Sequence, residues 1–537
     1  MKEEQTKHLW WQEGVFYQIY PRSYQDSNSD GVGDLRGIIK RLDYLKWLGI
    51  NAVWISPIYP SPMADYGYDI ADYTGIHPLF GNMDDFDELL KEVHARGMKL
   101  ILDLVPNHTS DQHPWFLESK SSKDNPKRDW YIWKDAKPDG SPPNNWLSVF
   151  GGSGWEWDET TQQYYFHAFL KEQPDLNWRN PEVHEAMYDV MRYWLDKGVD
   201  GFRVDVMWHM VQDEQFRDNP PNPNYEPHMA TYEQLMPVFS TDQPEVHDIV
   251  REMRRVLDSY DERMMIGEIY LPIHKLMTYY GSENDGAHLP FNFLLLSIPW
   301  NSEHIASEIA IYEGALPDGG WPNWVLSNHD QPRITSRVGE AQARIAAILL
   351  LTLRGTPTIY YGDEIGMRDV PIPPDEVQDP QGLNMPDLNL SRDPARTPMQ
   401  WEDATNAGFS DAKPWLRLPE YYRRKNVKVQ QNDPYSMLTL YRRLIQLRHE
   451  EKALNVGDYV PVYSDKQVLA FIRQYHEQRL LVVLNLTHRP SYFRVKNMTL
   501  KGTVILATAP EREGNTVEDY FSLGGDEGII VRLEEGT

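Results

Sequence analysis

Between residues 15 and 361, short apolar runs alternate with amphipathic helical stretches, and this rhythm constrains the fold more than any other feature of the chain. Val15-Phe16-Tyr17-Gln18-Ile19-Tyr20 is strand-like. A helical pattern follows, with Leu35, Ile38, Ile39, Leu42, Leu45 and Leu48 on one face and Gly49 as its stop. Ala52 to Pro57 and Lys99 to Val105 are the next strands, separated by a helix that carries Phe86, Leu89, Leu90 and Val93 and ends at Gly97. Further strands are expected at 201–206, 264–269, 291–298, 324–327 and 358–361. Strands joined through helices pair in parallel by right-handed crossovers. Eight such units predict an α/β fold, a closed (β/α)8 TIM barrel.

Two stretches break the rhythm. From 109 to 177 there is little helical period, much Gly, Pro, Asn and Asp, and six tryptophans: Trp115, Trp130, Trp133, Trp146, Trp155 and Trp157. So long a stretch reads as an inserted small domain after the third strand, and its tryptophans as core before substrate contacts. The irregular run from 366 to 432 is assigned a functional role on length alone. A helix at 436–449 closes the barrel, and alternating runs such as Val468-Leu469-Ala470-Phe471-Ile472 then suggest a C-terminal all-β sandwich. The expected division is a barrel over 1–108 and 178–455, an insert over 109–177, and a C-terminal domain over 456–537.

Charge and composition exclude several classes of function. Lys+Arg 53 against Asp+Glu 80 leaves −27, which repels nucleic acid and anionic membranes. With no cysteine there is no thiol nucleophile, disulfide or zinc-thiolate site, which suits a reducing cytoplasm. The residues before Trp10-Trp11 contain no apolar signal core, and no run approaches the ~20 apolar residues of a membrane span. The expected partner is a small neutral molecule, met by a monomer or homodimer. Aromatic residues, at 12%, hint at carbohydrate, because flat rings stack on sugar faces.

The chemistry lies at the strand ends, where barrels of this type place their active sites. In Gly201-Phe202-Arg203-Val204-Asp205-Val206 the arginine and aspartate leave one face of a strand together. A guanidinium beside Asp205 is expected to lower its pKa and fix its orientation. Asp103 and His108 follow the third strand, Glu268 the fifth, and His329-Asp330 the seventh. A single acid in such a place is often a helix cap, but several acids with histidines and an arginine are not explained that way. Paired carboxylates without a thiol, a phosphate loop or a serine elbow are the equipment of glycoside hydrolysis. One must be ionised near the sugar carbon, and the other protonated near the leaving oxygen. Partial burial on an apolar strand would keep Glu268 protonated.

A second polar loop, Asp26-Ser27-Asn28-Ser29-Asp30-Gly31-Val32-Gly33-Asp34, sets oxygen donors at alternate positions, like the front half of a calcium loop. A structural Ca2+, or Mg2+ in its place, is expected there, and no organic cofactor.

Asp103-Leu104-Val105-Pro106-Asn107-His108, Gly201 to Val206, Ile266-Gly267-Glu268 and Ser327-Asn328-His329-Asp330 stand in the order and spacing of the α-amylase family, glycoside hydrolase family 13, which the chain resembles over its whole length. Gln173-Pro174-Asp175-Leu176-Asn177 resembles the signature of its oligo-1,6-glucosidase and α-glucosidase group. The resemblance implies a retaining exo-acting α-glucosidase with Asp205 as nucleophile, Glu268 as acid/base and Asp330 as stabiliser of the transition state. It also implies that His108 and His329 bind hydroxyls of the terminal glucose and that Arg203 orients Asp205. Asp65 and Tyr68 would close the pocket at the non-reducing end, with Tyr68 as stacking platform. Arg392, in preference to Arg396, would pair with Asp65. By the same resemblance the cation ligands would be Asp26, Asn28, Asp30, Asp34 and the Val32 carbonyl. Val206, just after the nucleophile, accompanies α-1,6 cleavage in the group, but the flank Met207-Trp208-His209-Met210 departs from its usual pattern, so the linkage stays open between α-1,4 and α-1,6. Two alternatives remain: a glucosyl transferase or trehalose-forming relative using the same residues, and a barrel that binds carbohydrate without catalysis.

Overall fold

Eight short strands close into a parallel barrel in the computed structural model, which describes residues 8–495 and 499–534. They are β1 (Phe16–Ile19), β2 (Ala52–Ile55), β3 (Lys99–Leu104), β4 (Gly201–Val204), β5 (Met264–Gly267), β6 (Leu289–Asn292), β7 (Asn323–Val325) and β8 (Thr356–Tyr360). Each pairs with its neighbour in sequence, and Phe16 opposite Thr358 closes the ring between β1 and β8. The side chains alternate between two cores. Phe16, Ala52, Trp54, Ile101, Met264, Ile266 and Phe291 fill the barrel interior. Tyr17, Val53, Leu100, Leu102, Val204 and Met265 face outward and join the core beneath the helices.

Helix boundaries follow local chemistry. The Asp34 side chain caps the helix Leu35–Leu48, and Gly49, at φ 99°, ends it in the left-handed region. The apolar run Ile345–Leu351 lies buried in the helix Ile334–Thr352. No helix among the described residues is long and apolar enough to cross a membrane.

The sixth strand differs from expectation. It runs over Leu289–Asn292, and Leu294–Ser297 is a helical turn. Asn292 Oδ1 accepts the N–H of Leu294 at 3.0 Å and turns the chain there. A short apolar run has no periodicity that separates strand from helix, so the asparagine decides.

Between β3 and the helix Pro181–Lys197, the chain forms the helix Pro114–Ser121 and a three-stranded sheet of Trp133–Lys134, Trp155–Asp158 and Gln163–Phe166. The helix went unseen in the sequence because only Phe116 and Ser119 are buried along it, too few to leave a helical period. Trp130, Trp146 and Trp155 are buried. Trp146 packs edge-on to Phe166 at 5.2 Å and parallel to Phe216 at 5.5 Å, so these rings are core.

Residues 458–533 form a six-stranded antiparallel sheet and a two-stranded one, Ser491–Arg494 with Tyr520–Leu523. Ser302 Oγ donates to the Val468 carbonyl at 2.7 Å, and Arg473 Nη1 to that of Thr352 at 2.5 Å, so this unit is fastened to the barrel by buried hydrogen bonds.

Candidate active site

The loops after the barrel strands enclose a cavity of about 790 Å³. Asp65, Tyr68, His108, Asp205, Glu268, His329, Asp330 and Arg392 all line it, although they span 328 residue numbers from 65 to 392. Arg203 does not. It lies 1% exposed beneath the floor and does not line the cavity, so the structure does not bring it to where a substrate would be bound.

Arg203 is the hub of the floor. Its Nη1 donates to Asp103 Oδ1 at 2.8 Å and to Asp205 Oδ1 at 2.6 Å, while Nη2 stands 2.7 Å from Glu268 Oε2. Asp103 is further held by Trp54 Nε1 at 3.0 Å and is itself buried under the site. Three carboxyls thus share one guanidinium, and they cannot all be ionised at low cost. Burial pushes Asp205 well above the usual carboxylate range, with Arg203 pulling down and Glu268 and Asp103 pushing up. The expectation that Arg203 alone would leave Asp205 with a lowered pKa is therefore corrected: burial and two neighbouring acids outweigh one cation. Glu268 is also raised, by burial first and by the charge of Asp330, against Arg203. Its carboxyl is within hydrogen-bonding reach of Asp205, so one proton can be shared between them.

Val206 holds Glu268 from the other side. It sits at φ 34°, ψ 47°, in the left-handed region that β-branched residues avoid, and from there its N–H reaches Glu268 Oε2 at 2.8 Å.

A second cluster surrounds Asp330. Its Oδ1 accepts from Arg392 Nη1 at 3.1 Å and Arg396 Nη2 at 3.0 Å. Burial alone would raise this carboxyl, but His329, Arg392 and Arg396 reverse that and hold it well below its ordinary value. Asp330 is the permanent anion of the site. Arg392 Nη2 also binds Asp65 Oδ1 at 2.8 Å and Asp379 Oδ1 at 2.7 Å, and both acids are buried. Arg396 is turned away from Asp65 and donates to the His329 carbonyl at 2.8 Å.

The histidines are fixed as neutral rings. His329 Nδ1 meets Gln18 Nε2 at 2.8 Å, and its Nε2 meets the Tyr68 hydroxyl at 2.6 Å, with the two rings parallel within 5°. Burial pushes His329 and His108 down to about 3. Gln173 Nε2 reaches both His108 Nε2, at 3.1 Å, and Asp65 Oδ2, at 3.2 Å, while Asn107 links His108 to the buried Asp175. The Gln173-Pro174-Asp175 segment is thus a brace behind two pocket residues.

Sequence reasoning did not find Asp379, nor the aromatic walls Phe150, Phe169, Tyr232 and Tyr270. Asp379 stands at the start of the short helix Pro380–Asn384, and nothing near it in sequence marks an arginine partner at 392. Phe150 and Phe169 come from the insert, where the tryptophans drew attention.

The polar loop at 26–34 lies apart from this cavity. Asp26 Oδ1 accepts the N–H groups of Asn28 and Ser29, at 2.9 and 2.8 Å, and its Oδ2 that of Gly31 at 2.9 Å. Asp30 Oδ1 accepts from Val32 N at 2.8 Å, and Asp34 Oδ2 from Ser27 N at 2.7 Å. Gly31 is at φ 90°, and a Cβ there would lie 2.2 Å from the Lys413 carbonyl oxygen, so only glycine fits. Among the described residues, no three His, Cys, Asp or Glu side chains are grouped so as to hold a metal ion. The chemistry of the loop is nevertheless all oxygen: both Asp26 oxygens already accept two hydrogens, the second on Oδ2 coming from the Ser410 hydroxyl, while each oxygen of Asp30 and Asp34 keeps a lone pair beyond the hydrogen it accepts, which suits a hard cation.

A family model described as alpha amylase, catalytic domain, matches residues 18–457. An oligo-1,6-glucosidase of Halalkalibacterium halodurans is 42% identical over 550 aligned positions, which cover 95% of this chain and 97% of the relative. Among solved structures, the α-glucosyl transfer enzyme XgtA superposes with a TM-score of 0.93 at 39% identity, covering 98% of this chain and all (100%) of that one. The trehalulose synthase MutB from Pseudomonas mesoacidophila MX-45 does so with a TM-score of 0.91 at 36% identity, again over 98% of this chain and 100% of the other.

Proposed function

The chain belongs to the α-amylase family of glycoside hydrolases, and we propose from that premise that Asp205, Glu268 and Asp330 carry a retaining double displacement on short α-glucosides. The protein is an α-glucosidase, related to oligo-1,6-glucosidases, that releases glucose from the non-reducing end. The observation that carries the site assignment is the placement of Asp205 and Glu268 on the two terminal nitrogens of one guanidinium. Carboxyls this close leave no room for the water that an inverting pair must hold between acid and base, at ~6.5–9.5 Å separation.

Terminal glucose is held by Asp65, Arg392, His108 and His329, with the Asp65–Arg392 pair as the wall that limits entry to one residue. With the shared proton on Glu268 and Asp205 ionised against Arg203, Glu268 gives its proton to the leaving oxygen as Asp205 attacks the anomeric carbon. Asp330 stays ionised and faces the positive charge that develops on the ring. Glu268, now a carboxylate, takes a proton from water, which displaces Asp205 and restores the shared proton. An acceptor sugar in place of that water gives transfer by the same steps, and the likeness to XgtA keeps this as the second reading.

Calcium, or magnesium, belongs to the proposal as a structural ion held by Asp26, Asn28, Asp30, Asp34 and the Val32 carbonyl, supported by the donor chemistry of that loop. Cytoplasmic residence is part of it too, supported by a chain without cysteine. The test of function is glucose release from maltose, isomaltose, maltotriose, trehalose and sucrose, run beside Asp205→Asn. Release by the wild type alone upholds the reading. Inactivity of the wild type on all five sinks it.

A further inference from the structure

Asp379 stands at the N-cap of the short helix Pro380–Asn384, where an aspartate ordinarily accepts an N–H of the first turn. Here the side chain makes no capping hydrogen bond. Both of its oxygens are turned to Arg392. Oδ1 accepts from Nε at 3.0 Å and from Nη2 at 2.7 Å, and Oδ2 accepts the Arg392 backbone N–H at 2.7 Å. A carboxylate that holds a guanidinium through Nε and Nη2 fixes the plane of the fork as well as its position. The donors left over are then aimed, Nη1 at Asp330, 3.1 Å away, and Nη2 at Asp65, 2.8 Å away. Burial would raise the Asp379 carboxyl, but Arg392 and Arg396 reverse that and hold it below its ordinary value, so the grip is ionic.

The preceding residue acts on the other member of the pair. Gln378 Oε1 accepts from the Tyr66 hydroxyl at 3.0 Å, and Tyr66 follows Asp65 directly in the chain. Gln378 Nε2 donates to the Trp415 carbonyl at 2.7 Å. The backbone that carries both side chains is pinned in turn, because Asp393 Oδ2 accepts the N–H groups of Gln378 and Asp379, at 2.7 and 3.0 Å. This dipeptide ties the loop after β2 to the segment that bears Arg392. Neither residue lines the cavity, so each reaches a bound sugar only through Asp65 and Arg392. An arginine already ordered in the free protein spares a ligand the entropic cost of ordering it.

We propose that Gln378 and Asp379 are positioning residues for recognition of the terminal glucose, setting Arg392 and Asp65 against each other before the sugar enters. The proposal rests on the α-glucosidase reading above, in which that pair holds the terminal sugar.

The experiment measures the Ki of glucose as a competitive inhibitor of p-nitrophenyl α-glucoside hydrolysis. It is run on the wild type, Gln378→Ala, Asp379→Ala, Arg392→Ala and the double variant Asp379→Ala/Arg392→Ala, each below its own unfolding midpoint. Ki is expected to rise about 10-fold in Asp379→Ala and about 3-fold in Gln378→Ala, the scale of one charge-assisted and one neutral hydrogen bond. In the Arg392→Ala background, Asp379→Ala is expected to add nothing, because its effect runs through the arginine. A role in stability alone would lower the midpoint without moving Ki, and a Ki unchanged in both single variants overturns the proposal. An equal rise with and without Arg392 overturns it as well. If Asp379→Ala does not fold, an unchanged Ki in Gln378→Ala, a half-buried position, decides against it. A wild type that hydrolyses no α-glucoside overturns the α-glucosidase reading itself, a result distinct from an unchanged Ki.

Discussion

The backbone N–H of Val206 donates a 2.8 Å hydrogen bond to Glu268 Oε2, and it does so from a left-handed conformation, φ 34°, that costs a β-branched residue ~1–2 kcal/mol. This single bond links the residue after Asp205, the proposed nucleophile, to Glu268, the proposed acid/base. Val206→Thr keeps the branch at Cβ and therefore the strain, and its side chain faces the cavity. Its thermal midpoint is expected within ~2 °C of the wild type, while kcat/KM on isomaltose falls relative to maltose. An unchanged linkage ratio would remove Val206 as a determinant.

The shared proton on Asp205 and Glu268 makes the two acids separable by substrate. Asp205→Asn should lower kcat on every substrate by ~10⁴-fold or more. Glu268→Gln should do the same for maltose. With p-nitrophenyl α-glucoside it should show a burst of nitrophenol followed by slow turnover, because that leaving group departs without a proton. Absence of the burst in stopped-flow would deny Glu268 its role.

Asp363, behind β8, gives a pH dependence of stability. Burial, against Arg333, raises its carboxyl from 3.8 to about 7. Between those two values the folded chain keeps a proton that the unfolded chain releases, so stability falls as pH rises through roughly 4 to 7. Asp103 and Asp69, each pushed up by burial to about 6, act in the same direction over part of that window. Buried His108 and His329, pushed down to about 3, act in the opposite direction, so the contribution of Asp363 is read as a difference: the thermal midpoint of the wild type relative to Asp363→Asn should fall from pH 5 to pH 7.5. A slope in Asp363→Asn identical to wild type would contradict the assignment.

Arg392 bridges Asp65, Asp330 and Asp379, and removal of its charge strands Asp65 and leaves Asp330 and Asp379 to Arg396 alone. Arg392→Ala should cost ~3–5 kcal/mol of stability and raise KM for maltose. Arg392→Lys should recover little of either, since a single ammonium cannot reproduce the fork that grips Asp65 and Asp379 together. Urea denaturation with parallel kinetics tests both.

The loop at 26–34 makes a prediction separate from catalysis. Dialysis against a chelator should lower the thermal midpoint, and millimolar calcium should restore it by mass action on the folded state. Magnesium should do so less well, because its demand for octahedral geometry fits a flexible oxygen loop poorly. A midpoint indifferent to all three treatments would leave the loop as a backbone-capping turn, the role its hydrogen bonds already perform.

The rhythm of apolar runs and amphipathic helices by itself determined the closed barrel, because a strand that is apolar on both faces has only one way to be buried when each return is helical. It also located the acids, histidines and arginine at strand ends, since a period-two strand dictates which residues leave together, as Arg203 and Asp205 do. Tertiary structure decided the charge states. Asp205 has a raised pKa because folding buries it, and because Glu268 and Asp103, 63 and 102 positions away in sequence, share its guanidinium. It also decided the sixth strand, where Asn292 stops an apolar run that reads equally as strand or helix. Asp379, Phe150 and Phe169 entered the site only on folding, because long-range proximity leaves no mark in the local sequence, and desolvation depends on what surrounds a group in space.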